Sequence, residues 1–199
     1  MPILSIFKST VLLLFLVFTS CKGQQKETFS TSEPTIEAPA PIKVAANRTE
    51  IYLPLLKEKK VGVVANPTSV IFKENGHTHL VDSLLSEGID VMQVFAPEHG
   101  FRGTADGMDT QTGLPIISLY GKNRKPSKEQ LEELDVIVFD IQDVGVRFYT
   151  FIATLQLVME ACAENDIPIV VLDRPNPNGH YVDGPTMIEE HTSYLGMNT

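Results

Sequence analysis

Cysteine is scarce in this chain: 199 residues hold two, Cys21 and Cys162. That excludes a disulfide framework, above all if Cys21 is consumed by lipidation. Cys162 falls in an apolar helical stretch and reads as a buried structural thiol rather than a nucleophile. Basic residues are also few, 16 Lys and Arg against 25 Asp and Glu, for a formal charge of −9. No basic run exists, which argues against nucleic acid or anionic lipid as a partner. The apolar stretch 11–18 near the N-terminus is too short to span a bilayer as a helix. Neither G-x-G-x-x-G nor G-x-x-x-x-G-K-[ST] occurs, so no bound dinucleotide or nucleoside triphosphate is supported, and no cofactor is expected. Internal repeats are absent.

The first twenty residues read as an export leader. Lys8 precedes the apolar stretch, which ends at Thr19-Ser20-Cys21. Small residues before a cysteine in this setting look like the processing site of a bacterial lipoprotein. Cys21 would then become the lipidated N-terminus, anchoring an exported protein to the membrane and facing the periplasm or cell exterior. From 21 to 48 the composition shifts to Gln, Glu, Thr, Ser, Pro and Ala, and Pro34, Pro39 and Pro41 break any periodicity. That segment reads as a disordered tether.

The remainder, with 43% hydrophobic and 21% charged residues across the chain, is ordinary globular material. Strand-like runs alternate with helix-like segments, the pattern of an α/β fold with an open, mostly parallel sheet and helices on both faces. Strands are expected at about 61–65, 90–96, 135–141 and 167–172, with a shorter apolar run at 115–120. Helices are expected near 78–87, from Ser127 (a capping box with Gln130) to about 134, and from 148 to 164. On the last of these, Phe151, Leu155, Val158, Met159 and Cys162 share one face. The Gly-rich stretch 98–114, with its charges, reads as an ordered functional loop. Domain bounds follow as 49–187 for the Rossmann-like unit and 188–199 for the start of a further C-terminal region.

Each strand run stops at a polar cluster: Asn66-Pro67-Thr68, then Pro97-Glu98-His99-Gly100-Phe101-Arg102-Gly103, then Asp140-Ile141-Gln142-Asp143 through Arg147, then Asp173-Arg174-Pro175-Asn176. Parallel strands end at one edge, where such sheets bind ligands, so these clusters are expected to converge on a cleft. Glu98 beside an apolar strand end suits a proton donor; it could equally pair with Arg102 or cap an amide. His99 could orient Glu98, touch ligand or join a metal set with Asp106, Asp109 or Asp140, although no second histidine stands at ligand spacing from it. Asp140 and Gln142 face one side of their strand end. Asp140 and Asp143 could work with Glu98 as paired carboxylates, or cap loop and helix amides. Arg102, Arg147 and Arg174 are candidate forks for a carboxylate, or ion-pair partners of nearby aspartates. Tyr149, placed in the first turn of the long helix, either packs in the core or brings its hydroxyl into the cleft as a nucleophile.

Taken in order, these motifs, with Thr112-Gly113-Leu114-Pro115, Ser118-Leu119-Tyr120-Gly121, Arg147-Phe148-Tyr149-Thr150 and Leu172-Asp173-Arg174-Pro175-Asn176-Pro177, closely resemble the exo-β-N-acetylmuramidase family over about residues 55–187. The resemblance implies a Rossmann-like N-terminal domain and a smaller C-terminal domain, with the active site between them. It implies release of N-acetylmuramic acid from the non-reducing end of peptidoglycan fragments. Glu98 and Tyr149 match the family's proposed catalytic pair. Asn66, His99, Arg102, Asp140, Gln142, Asp143, Arg147, Asp173 and Arg174 would then contact sugar. No metal is implied. The competing reading is a lipoprotein that binds muropeptides without cleaving them; a metal-dependent hydrolase is the third.

Overall fold

Val61, Val63 and Ala65 point to one side of the central strand and Val64 to the other, and all four are buried. This is the physics of a parallel sheet covered on both faces: apolar side chains are needed at every position rather than at alternate ones. The computed structural model describes residues 41–197. The expected leader 1–20, Cys21 and most of the tether lie outside the described residues.

Six strands form the main sheet: β1 (Lys60–Ala65), β4 (Asp90–Ala96), β5 (Gly107–Met108), β6 (Pro115–Ser118), β7 (Val136–Asp140) and β8 (Ile169–Val171). Their order is β5-β6-β4-β1-β7-β8. Every pairing is parallel except β5 with β6. The four expected strands thus lie side by side with a common direction. The chain steps outward from β1 to β4 and β6, then returns to β7 and β8 on the other side of β1. The β1–β7 crevice is therefore the topological switch point.

Helices α1 (Thr49–Leu56) and α2 (Leu80–Ser86) cover one face with Tyr52, Leu56, Leu80, Val81 and Leu84. Helices α3 (Lys128–Leu131) and α4 (Phe151–Glu164) cover the other with Leu131, Val158, Ala161 and Cys162. Gly62 permits close packing: a Cβ there would lie 2.6 Å from Ile137 Cδ1 and 2.7 Å from Leu134 Cδ1. Burial pushes the Cys162 thiol up to about 11, so it stays protonated at neutral pH and serves packing.

Several boundaries differ from expectation for identifiable reasons. The packed chain begins before Thr49. Ala45–Asn47 forms a 3₁₀ turn with Ala46 fully buried, Ala45 N–H donating to Asp173 O at 3.0 Å and Tyr52 Oη donating to Ala46 O at 2.9 Å. Residues 70–79 form an unforeseen hairpin, β2 (Val70–Lys73) with β3 (Gly76–His79), which delays α2 to Leu80. Asn75-Gly76 was its sequence signal. The Ser127–Gln130 capping box is present, but α3 stops at Leu131. Helix α4 starts at Phe151, not 148, and its inward stripe is Thr154, Val158, Ala161 and Cys162. Met159 is turned outward.

Candidate active site

Ala96 ends β4, and Pro97, which has no N–H, cannot extend the ladder. The chain then turns sharply: Gly100 N–H donates to Pro97 O at 2.9 Å, with φ of 71° at His99 and 81° at Gly100. A Cβ on Gly100 would stand 2.7 Å from the Thr104 carbonyl oxygen, so that position requires glycine. Phe101 is fully buried and meets His79 edge-on with ring centroids 4.9 Å apart, pinning the loop to the α2 side of the sheet. Glu98 is thereby left half-buried at the strand end, and His99 points out exposed.

The loop after β7 comes to meet it. Thr150 Oγ1 donates to Glu98 Oε2 at 3.0 Å, so the carboxylate sits against the residue that follows Tyr149. Tyr149 is not in the first turn of α4. It lies in the turn before the helix, its N–H donating to Val146 O at 3.0 Å, with the ring between Phe148 and Phe151 and 46% exposed. Core packing is thus excluded for it. Tyr149, Asp143, Arg147 and Ile152 line a cavity of about 210 Å³, whose far wall is Tyr194, Leu195 and Gly196. Neither Glu98 nor Thr150 is among its lining residues, although Tyr149, next to Thr150 in the chain, is. Asp143 Oδ1 accepts from Gly145 N–H at 2.9 Å, so it caps its own turn rather than the helix. Arg147 Nη2 donates to Pro185 O at 3.0 Å. This contact holds the guanidinium where the cavity adjoins a larger one, about 570 Å³, lined by Phe148, Asn176, Tyr181 and Asp183.

Other expected site residues do not line this cavity. Asp140 is fully buried and takes both arms of Arg174, Nε to Oδ1 at 2.6 Å and Nη2 to Oδ2 at 2.8 Å. The same Nη2 donates to Val70 O at 2.8 Å, and Ser69 Oγ donates to Asp140 O. Burial pushes the Asp140 carboxyl above its usual range, while the Arg174 hydrogen bonds and charge pull it back down. This pair sits at the switch point and holds the loops after β1, β7 and β8 together, with both side chains buried rather than open to a ligand. Asn66 is also buried, its Oδ1 accepting from Thr68 N–H at 2.9 Å and Thr68 Oγ1 at 2.7 Å as an Asx turn. Arg102 donates to Asp82 Oδ1 at 2.5 Å and to Gln111 Oε1, facing a separate cavity of about 640 Å³ beside His77 and His79. Gln142 donates to Pro175 O at 2.5 Å, and Asp173 is exposed, in the strand-end loop. Among the described residues, no three His, Cys, Asp or Glu side chains cluster as a metal site.

Sequence reasoning missed Thr150 and Tyr194. Thr150 carried the signal of a helix N-cap residue, whereas nothing in the sequence singled out Tyr194. The geometry that remains is a half-buried carboxylate bonded to Thr150, with the exposed Tyr149 phenol and Arg147 on the cavity lined by the same loop. Residues 61–199 match the family model described as "Exo-beta-N-acetylmuramidase NamZ, N-terminal". The chain belongs to this family. Among NamZ relatives, the peptidoglycan beta-N-acetylmuramidase NamZ of Bacillus subtilis is 44% identical over 158 residues, 73% of this chain and 37% of that protein. Two solved DUF1343 family proteins of Bacteroides fragilis superpose with TM-scores of 0.67 and 0.68, at 44% and 40% identity. Each alignment covers 77% of this chain and 40% of the other. The NamZ match thus spans about two-fifths of the relatives' length, and within that span the expected Rossmann-like fold is present.

Proposed function

We propose that this NamZ-family chain carries the catalytic half of an exo-acting glycoside hydrolase, releasing N-acetylmuramic acid from the non-reducing end of peptidoglycan fragments. The observation that carries the reading is the Thr150–Glu98 hydrogen bond, which joins the family's acidic residue to the loop bearing Tyr149 and Arg147. In the reaction, Glu98 gives its proton to the glycosidic oxygen as the C1–O bond breaks, and the bonding pair leaves with that oxygen. C1 then takes an oxygen nucleophile, from Tyr149 or from water, and one water is consumed overall. Arg147 is suited to grip the lactyl carboxylate that distinguishes muramic acid from other hexosamines. The leader and Cys21 would hold the protein beside the wall whose fragments it processes.

The test is release of chromophore from a 4-nitrophenyl N-acetylmuraminide, with binding of free N-acetylmuramic acid measured in parallel. Glu98→Gln should abolish release and keep binding. Release that persists in Glu98→Gln would remove Glu98 from the chemistry. A second reading, a muropeptide-binding protein without cleavage, draws on the absence of Glu98 from the cavity lining. Binding with no release by the unmodified protein would favour it.

A further inference from the structure

Thr150 stands at the N-cap of α4, yet its side chain makes no capping hydrogen bond, and its backbone is already helical at φ −88° and ψ −1°. An N-cap threonine ordinarily accepts from an amide of the first turn. Here the hydroxyl of a residue only 7% exposed is turned away from the helix and donates instead to Glu98 Oε2. A local rule is broken at a buried position, and what replaces it is one contact to the acidic residue of the site. The backbone of Thr150 is fixed from behind. Its carbonyl accepts from Thr154 N–H at 3.0 Å and from Thr154 Oγ1 at 3.4 Å. Thr154, itself fully buried, shares a hydrogen bond of 2.8 Å with the Tyr194 hydroxyl in the opposite cavity wall.

We infer that Thr150 is the positioning residue of Glu98, and that by occupying Oε2 it makes Oε1 the oxygen that hands over the proton. The inference rests on the function proposed above. A hydroxyl has one proton to donate, and it is committed to Oε2; Oε1 has no protein partner among the described residues. In the acid form the carboxyl proton therefore sits on Oε1. When it passes to the glycosidic oxygen, its bonding pair stays on the carboxylate, and the Thr150 bond becomes charge-assisted. An interaction that strengthens as the reaction proceeds lowers the barrier rather than tightening substrate binding.

The experiment compares Thr150→Val, isosteric but without a donor, and Thr150→Ser, which keeps the donor. Two substrates are used: 4-nitrophenyl N-acetylmuraminide, whose leaving group needs little protonation, and the N-acetylmuramic acid–N-acetylglucosamine disaccharide, whose leaving group needs a proton. The valine variant should lose about tenfold in kcat on the disaccharide with KM little changed, as expected for one hydrogen bond to a charged group. It should lose distinctly less on the nitrophenyl substrate, and serine should restore both. Equal losses on the two substrates, or no loss on either, would overturn the inference. A thermal-unfolding cycle with Glu98→Ala reads the contact without activity. Thr150→Val should lower the melting temperature less in the Glu98→Ala background than in the unmodified protein, and additive effects would overturn it. If the unmodified protein cleaves neither substrate, the proposed function fails while the cycle still decides the contact.

Discussion

Arg174→Met keeps the apolar stem of the side chain and deletes the guanidinium. Three donated hydrogen bonds go with it, two to Asp140 and one to Val70 O. Asp140 is fully buried and has no water to turn to. Removing one partner of such a pair costs about 3–5 kcal/mol, against a total of roughly 5–15 kcal/mol for a domain. A fifth or more of the stability should therefore disappear at pH 7, read as a lower urea midpoint by circular dichroism. The loss should shrink in acid. Without Arg174, burial alone holds the Asp140 carboxyl well above its ordinary 3.8, so the native state keeps a proton that the unfolded state releases. Stability of the variant then falls as pH rises from about 4 toward 7. Adding Asp140→Leu should recover most of the deficit, leaving about 1–2 kcal/mol for the orphaned Val70 carbonyl. A loss below about 1 kcal/mol at pH 7, or one independent of pH, would refute the reasoning. So would loss of N-acetylmuramic acid binding with stability unchanged, which would return Arg174 to the sugar contacts first expected of it.

His79 should make α2 acid-sensitive. Its Nε2–H donates to Asn66 O at 3.0 Å while Nδ1 accepts from Val81 N–H at 3.2 Å, an arrangement only the neutral ring can make. Burial holds its pKa below 6.5, with Arg102 lowering it further and the Asn66 carbonyl, Asp82 and Asp109 opposing. The stabilisation is complete above about 6.5 and is lost as pH falls through the lower native value. Relative to His79→Asn, which keeps a cap acceptor, the unmodified protein should lose about 1 kcal/mol in urea unfolding between pH 7 and pH 5. Parallel pH profiles would discard the idea. For the proposed export, Cys21→Ser should shift the protein from the membrane to the soluble fraction of a bacterial host and abolish incorporation of labelled palmitate. Unchanged fractionation would rule out the lipid anchor.

The strands were legible because burial on both faces writes itself as an unbroken apolar run, and because each run halts where the sheet ends. Val136–Phe139 and Val91–Ala96 could hardly be anything else. What a run of letters does not carry is partner choice. Asp140 and Asp143 stand three residues apart, one ending the strand and the other just beyond it, and both were counted as cleft residues. One is locked inside by an arginine 34 positions away and the other caps a surface turn. The same blindness hid the Arg102–Asp82 pair, whose members come from different elements. Helix α4 was misplaced by three residues at its start because Phe148 and Tyr149 extend the apolar period beyond where the backbone becomes helical. Glu98 was read correctly as a strand-end carboxylate. Its contact with Thr150 joins residues 52 positions apart, a distance over which spacing is silent.

The crevice at the reversal of strand order is where sheets of this kind usually keep a nucleotide. In this protein Ser69, Val70, Asp140 and Arg174 have turned that hollow into mortar. Excavating it to admit a cofactor would mean dismantling the bond between two halves of the sheet. The proposed chemistry would then sit at the rim, on loops that can lengthen or trade side chains while the masonry beneath them stays put.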